Sequence, residues 1–273
     1  MWRPIFGAMA AAMAFAPISP ALAEEPIRLY AAGSLRGALT EVTDAFALEH
    51  GVPVAATFGA SGLLRQRIEN GEPGELFASA DTGHPEALVR AGKAEPMAVF
   101  AHNRLCALAA AGVDVTPTTL LDRILDPAVK LGTSTPKADP SGDYAWALFE
   151  KAETLRPGSY AILDAKALKL TGGPSSPTPP PGRSLYGLLL QDRRADIFLA
   201  YCTSAREAQQ EVPSLRIVDI PEPLAVAAAY GMVVIKGARP EAARLAAYIL
   251  SPDGQRILAL HGFTPAGSPA PSR

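Results

Sequence analysis

Short apolar runs alternate with amphipathic stretches along most of the chain. Residues 27–32 form an apolar run of strand length. After a Gly-Ser step, Leu35, Ala38, Leu39, Val42, Ala45 and Phe46 follow the i, i+3, i+4, i+7 rhythm of one helix face. Residues 54–58 read as a second strand, 63–70 as a helix closed by Gly71, and 76–79 as a third strand. This βαβαβ order predicts a parallel sheet with helices on its faces. The rhythm continues in a helix over 85–91, with Pro85 at its first position and Gly92 just past its end. Further strands are predicted at 105–109, 129–132, 197–201, 215–220 and 232–235, and helices at 143–152, 184–191, 240–250 and 252–260. Between 172 and 182, Pro174, Pro177, Pro179, Pro180 and Pro181 demand an extended loop, because proline has no amide hydrogen and blocks helix. That loop is either plain surface or the lining of a ligand cleft.

The N-terminus changes the picture of where this sheet protein works. Residues 1–23 carry Arg3, an apolar stretch from 5 to 18, and Ala21-Leu22-Ala23 before Glu24, the layout of a secretory signal cut after Ala23. Pro17 and Pro20 interrupt the stretch, which is too short for a membrane span. No later segment is long and apolar enough to cross a bilayer, so an exported protein is expected. Cys106 and Cys202 permit one disulfide in an oxidising compartment, although spacing alone does not establish it. His50, His84, His102 and His261 are scattered without ligand spacing, so no metal site and no cofactor are expected.

Composition then removes several classes. A chain of 273 residues that is 48% hydrophobic can bury a large core. Its 25 basic and 27 acidic residues are interspersed, so it lacks the electrostatic footprint of a nucleic-acid binder. Aromatics at 7% argue against stacking platforms for bases or sugars. Small neutral or anionic ligands remain.

Two places carry candidate chemistry. Ala31-Ala32-Gly33-Ser34-Leu35 and Phe58-Gly59-Ala60-Ser61-Gly62-Leu63 repeat one arrangement: strand, glycine, serine, helix. In an open parallel sheet both serines stand at the carboxyl ends of strands, where such folds bind ligands. Each helix start offers free N–H groups and roughly half a unit of positive charge, which together make an anion site. Taken singly, either serine is more simply a helix cap. A G-x-S-x-G elbow starting at Gly59 would need a glycine where Leu63 stands, and no nucleotide-binding loop is present. An enzyme is therefore not expected.

At these residues the chain resembles the periplasmic molybdate-binding proteins of ABC importers. The resemblance continues in Leu76-Phe77-Ala78-Ser79-Ala80-Asp81, Ser141-Gly142-Asp143-Tyr144-Ala145, Ala195-Asp196-Ile197-Phe198-Leu199-Ala200-Tyr201 and Leu250-Ser251-Pro252-Asp253-Gly254-Gln255 with Gly262-Phe263. It implies an α/β fold of two lobes, each a mostly parallel sheet flanked by helices, joined by a hinge. Lobe one would comprise residues 24–102 plus 221–273, and lobe two 103–220. The family's oxyanion-binding serines fall on Ser34 and Ser61 and its tyrosine on Tyr201. Its small residue before glycine falls on Ser141, whose backbone amide would be the donor, and its fifth contact falls on the amide of Arg183. The chain departs from the pattern around the last two, where Asp139-Pro140 runs straight into Ser141 and the Pro-rich loop precedes Arg183.

The implied function is that of a periplasmic solute-binding protein. As a monomer it would close on molybdate or tungstate and deliver the anion to an inner-membrane permease and its ATPase. Serine, tyrosine and amide donors suit a fully deprotonated dianion. Phosphate, which keeps a proton near neutral pH, would want an acceptor such as Asp81 or Asp143. Another anion, sulfate or an organic anion engaging the Arg183 side chain, is the alternative. A secreted serine hydrolase using Ser61 is the reading from a different class.

Overall fold

The first described elements reproduce the apolar rhythm closely. The computed structural model describes residues 25–180 and 182–268, so the segment read as an export signal lies outside the described residues. β1 (Ile27–Ala32) leads through a 3-10 turn, Gly33–Leu35, into α1 (Arg36–His50), which buries Ala38, Leu39, Val42 and Phe46. There follow β2 (Val54–Gly59), α2 (Ser61–Glu69), β3 (Leu76–Ala78), α3 (Gly83–Arg90) and the long β4 (Ala98–Ala109). Next come α4 (Leu120–Leu125), β5 (Leu131–Ser134), α5 (Pro140–Leu155), α6 (Ser159–Lys166), β6 (Leu168–Thr171) and α7 (Leu185–Gln191). The chain continues with β7 (Ile197–Tyr201), α8 (Cys202–Glu211), β8 (Arg216–Asp219) and β9 (Ala227–Val234). It closes with α9 (Pro240–Leu250), α10 (Pro252–Leu260) and β10 (Thr264–Pro265).

The result is an α/β architecture of two lobes on one curled sheet. Strand order is β2-β1-β3-β9-β4-β7-β5-β6, with β8 and β10 also on β4. Both margins are parallel, β1 with β2 and β3, and β5 with β6 and β7, as the βαβ spacing predicts. The centre is antiparallel, because β9 returns beside β3 and β4. β4 changes partners within its length. It pairs with β9 as far as Arg104 and, from Leu105 onward, with β7 and β8. The chain thus passes between the two halves of the sheet inside β4 and again between β8 and β9.

Beyond that switch β4 is covered on both faces. Leu105, Ala107 and Ala109 join the main core, whereas Cys106, Leu108 and Ala110 pack with Leu190, Phe198 and Ala205 on the other side. An apolar run without alternation is what a strand buried on both faces requires. Residues 98–104 belong to the same strand although the pattern does not show it, because His102, Asn103 and Arg104 interrupt the apolar run. Cys106 and Cys202 form a disulfide, with Cα atoms 4.9 Å apart. It ties β4 to the start of α8 across 96 residues of chain. Cross-links over about 100 residues remove roughly 4–5 kcal/mol of unfolded-state freedom in the chain-entropy account.

One ion pair fastens the start of the sheet. Glu75 is 3% exposed and accepts from Arg239 Nε at 2.7 Å, Arg239 Nη2 at 2.9 Å and the Arg28 amide at 3.0 Å. The Arg239 hydrogen bonds hold its carboxyl down at about 2 in spite of burial, against an ordinary 4.5. A depressed carboxyl stabilises fully above its unfolded value and loses that contribution as pH falls through its folded one. Arg239→Ala should cost about 3 kcal/mol, the scale for stranding a buried charge. Urea unfolding at pH 7 measures it, and the difference from the parent should shrink as pH falls from about 4.5 toward 2.

Candidate functional site

Both serines turn out not to be caps. Ser34 lies inside the 3-10 turn after β1, and the turn has no side-chain cap. Ser61 is the first residue of α2, whose capping residue is Ala60. The expected helix start at Ser34 is thus corrected to Arg36. Freed from capping, the two hydroxyls reach other partners.

Ser34 Oγ shares a hydrogen bond of 3.0 Å with the hydroxyl of Tyr230, a residue of β9 that is 0% exposed. Asn103 Nδ2, on β4 just before the partner switch, donates to that same hydroxyl at 3.2 Å and to Thr203 Oγ1 at 2.9 Å. The Tyr230 ring meets the Tyr201 ring edge-on at 5.4 Å. The Tyr201 hydroxyl, at the end of β7, donates to the Ala80 carbonyl at 3.2 Å, and the Ala80 amide donates to Ser61 Oγ at 3.2 Å. Ser34, Tyr201 and Ser61 therefore belong to one chain of hydrogen bonds and ring contact, drawn from both halves of the sheet. On α5, Tyr144 faces Tyr201 at 6.2 Å between ring centroids.

The halves also touch at the start of α2. The Gly62 amide donates to the Ala138 carbonyl at 2.8 Å. A Cβ at position 62 would lie 2.4 Å from the Lys137 carbonyl oxygen, so only glycine allows this approach. Lys137 itself holds a positive φ of 66°, with its amide donating to Asp143 Oδ1 at 2.9 Å.

The electrostatic character is that of neutral donors. Burial drives the phenols of Tyr201 and Tyr230 well above their ordinary range and raises Tyr144 as well, so all three keep their protons. Nearby carboxyls have a weakened tendency to ionise. Burial pushes Asp139 up to about 6, against hydrogen bonds from the Ser141 amide and Ser134, and raises Asp143 too. Asp81 Oδ1 accepts from Ser79 Oγ at 2.6 Å and the His84 amide at 3.3 Å at the start of α3. Asp81 and Asp143 are thus already engaged with groups of the protein itself. Among the described residues, no group of three or more His, Cys, Asp and Glu side chains could hold a metal ion.

The remaining two predicted residues fare differently. Ser141 sits in the first turn of α5, 1% exposed, and its amide donates to Asp139 Oδ1 at 3.1 Å. The amide expected to face a ligand is therefore occupied by the capping carboxyl before it. Arg183 is not brought to the others. Its amide donates to the Pro180 carbonyl at 3.1 Å, and its guanidinium pairs with Glu211. Glu211 ends the ten-residue α8 whose start follows Tyr201, a helix about 15 Å long. The Pro-rich loop lines an open pocket of about 360 Å³ with Lys169, Arg194 and Thr135, and none of the five predicted residues borders it.

Tyr230, Asn103 and Thr203 were missed by sequence reasoning. Residue 230 falls before the predicted start of its strand, and Asn103 breaks the apolar signal of its own. Tyr144 stood inside a motif but carried no role. Gly62→Ala should push the 137–138 backbone away and separate the halves. Small-angle scattering should show a larger radius of gyration, and the unfolding temperature should change little.

Comparison with known proteins adds a family and its relatives. Residues 27–264 match the family described as bacterial extracellular solute-binding protein. An uncharacterized protein of Pasteurella multocida is 38% identical over 245 residues, 88% of this chain and 99% of that protein. A protein of Mycobacterium bovis named as the molybdate-binding protein ModA is 27% identical, covering 92% of this chain and 88% of its own. Among solved structures, the periplasmic molybdate-binding protein of Azotobacter vinelandii superposes with a TM-score of 0.69 at 18% identity, over 87% of this chain and 98% of that one. The sulfate-binding protein SubI of Mycobacterium tuberculosis superposes at 0.75 and 19% identity, over 89% and 87%.

Proposed function

The chain belongs to the bacterial extracellular solute-binding proteins, and from that premise we propose that its solute is a tetrahedral oxyanion, molybdate or tungstate. The observation that carries this reading is the chain joining half-buried Ser34 to buried Tyr230, Tyr201 and Ser61, neutral hydroxyls supplied by both halves of the sheet. A dianion taken out of water needs donors on every side. Hydroxyls held in their protonated form supply them without the desolvation cost of burying a matching cation.

In this reading residues 24–102 and 221–273 form one lobe and 103–220 the other. The hinge lies where β4 changes partners and where the chain returns between β8 and β9. Donors from both lobes are satisfied together only when the lobes close, so ligand binding shifts the protein toward closure. The protein is exported through residues 1–23, works as a monomer in the periplasm and hands its anion to a permease and ATPase of the inner membrane.

Sulfate is the second reading, supported by the likeness to a sulfate-binding protein and by the same charge and shape of the anion. Phosphate is less favoured, because Asp81 and Asp143, the candidate acceptors for its proton, each already commit Oδ1 to a donor of the protein. An organic anion held by Arg183 loses its support, since that guanidinium pairs with Glu211. A hydrolase reading lacks a base, as the recorded partner of Ser61 Oγ is an amide.

Calorimetric titration of the ligand-stripped protein with molybdate, tungstate, sulfate and phosphate tests the assignment. Molybdate and tungstate should bind and phosphate should not; binding of sulfate alone would select the second reading. Ser34→Ala and Ser61→Ala should each weaken binding by about 1.5–3 kcal/mol, the value of a hydrogen bond to a charged group. Arg183→Ala should leave the affinity unchanged.

A further inference from the structure

The hydrogen bonds around Tyr230 run in one direction, and a backbone amide sets it. The Arg104 N–H lies 2.9 Å from Asn103 Oδ1 and can only donate. It fixes which way the Asn103 side-chain amide faces, because the reversed amide would set two donors against each other. Nδ2 therefore points at the hydroxyls, with one hydrogen on Thr203 Oγ1 at 2.9 Å and the other on the Tyr230 oxygen at 3.2 Å. Asn103 is 3% exposed and Tyr230 0%, so solvent does not compete for these groups.

The direction passes on to Ser34. Tyr230 stays protonated under burial and has a single hydrogen to give. Among the described residues its hydroxyl makes two hydrogen bonds, one received from Asn103 Nδ2 and one shared with Ser34 Oγ at 3.0 Å. With the tyrosine oxygen already accepting from Asn103, its hydrogen is directed at Ser34, which accepts it. Ser34 Oγ has no other partner among the described residues, and the residue is only half-buried. Its own hydrogen is left for whatever occupies its open side. Ser61 is set in the same sense in one step, since its Oγ accepts from the Ala80 N–H at 3.2 Å.

We propose that Asn103 and Tyr230 are positioning residues that hold Ser34 as a hydrogen-bond donor toward the ligand, and so bias the site toward an anion that carries no proton. The inference rests on the oxyanion reading above and adds to it two residues that act through Ser34. A protonated anion such as monohydrogen phosphate needs one acceptor. Ser34 could become that acceptor only by turning its own hydrogen to Tyr230, and the tyrosine would then have to release Asn103, whose amide is locked by the Arg104 N–H.

Asn103→Asp reverses the direction. The carboxylate still accepts from the Arg104 amide but now accepts from Tyr230 as well, so Ser34 donates to Tyr230 and shows the ligand a lone pair. Calorimetry on the ligand-stripped variant, at a pH where phosphate is a dianion with one proton, should show molybdate affinity lower by roughly tenfold or more, the loss of one hydrogen bond to a charged group. The ratio of molybdate to phosphate affinity should narrow by a similar factor. The added charge repels both dianions alike, so the ratio reads the hydrogen-bond direction. Tyr230→Phe keeps the ring and removes the relay, which leaves Ser34 able to turn either way. It should weaken molybdate less and still narrow the ratio several-fold. In a Ser34→Ala background, Tyr230→Phe should narrow the ratio no further, because neighbours that act through one group are not additive.

Thermal unfolding establishes that each variant folds, and should Asn103→Asp fail to fold, Tyr230→Phe decides. If the parent binds molybdate and phosphate gains nothing relative to it in the folded variants, this inference falls and the oxyanion reading stands. A ratio that Tyr230→Phe narrows equally with Ser34 removed overturns the inference as well. If the parent binds sulfate alone, sulfate takes the place of molybdate in the ratio. If it binds none of the four oxyanions, both fall.

Discussion

The backbone of β4 must be satisfied along twelve residues, and no one neighbouring strand accompanies it over that length. It pairs with β9 and β10 on one side of Arg104 and with β7 and β8 on the other. This division of one strand between two sets of partners creates the two halves of the molecule. It also fixes the site. Asn103 precedes the switch and reaches Tyr230 and Thr203, while Leu105 follows it in register with Tyr201. The groups that meet around the tyrosine pair do so because they flank the point where the sheet changes hands.

The chemistry of that meeting place follows from burial. Tyrosine hydroxyls deep in a protein keep their protons, since the charged form is the one that desolvation penalises. The same effect raises Asp139 to about 6 and raises Asp143 too, so both ionise less readily than exposed carboxyls. The hydroxyls that meet there present dipoles and not full charges.

The disulfide reinforces this arrangement from within one half. It joins Cys106, the second residue past the switch in β4, to Cys202, the residue after Tyr201. The end of β7, the start of α8 and the distal part of β4 are thereby held as one piece. A tyrosine that donates across to Ala80 is thus mounted on a cross-linked base. The Glu75 and Arg239 pair fastens β1, β3 and the start of α9 in the other half.

Local pattern was enough to read β1, β7, α9 and α10 to the residue, because each buries its apolar positions at the period of its own geometry. It also drew attention to Ser34 and Ser61, which follow the parallel strands β1 and β2, whereas Tyr201 was singled out by the family resemblance. It did not reveal α4, α6, α8 or β6, which are short or polar and are held by their neighbours. Nor did it show the first half of β4, where buried Asn103 and its flanking polar residues disguise a strand. Whether a serine caps a helix or turns to a tyrosine on another strand, whether Arg183 meets a ligand or Glu211, and which groups surround Tyr230 are all questions of long-range contact. The sequence determined most of the elements, since propensity and periodicity are properties of neighbouring residues. Only the tertiary structure decided the partners of each polar group, because those partners come from segments far apart in the chain.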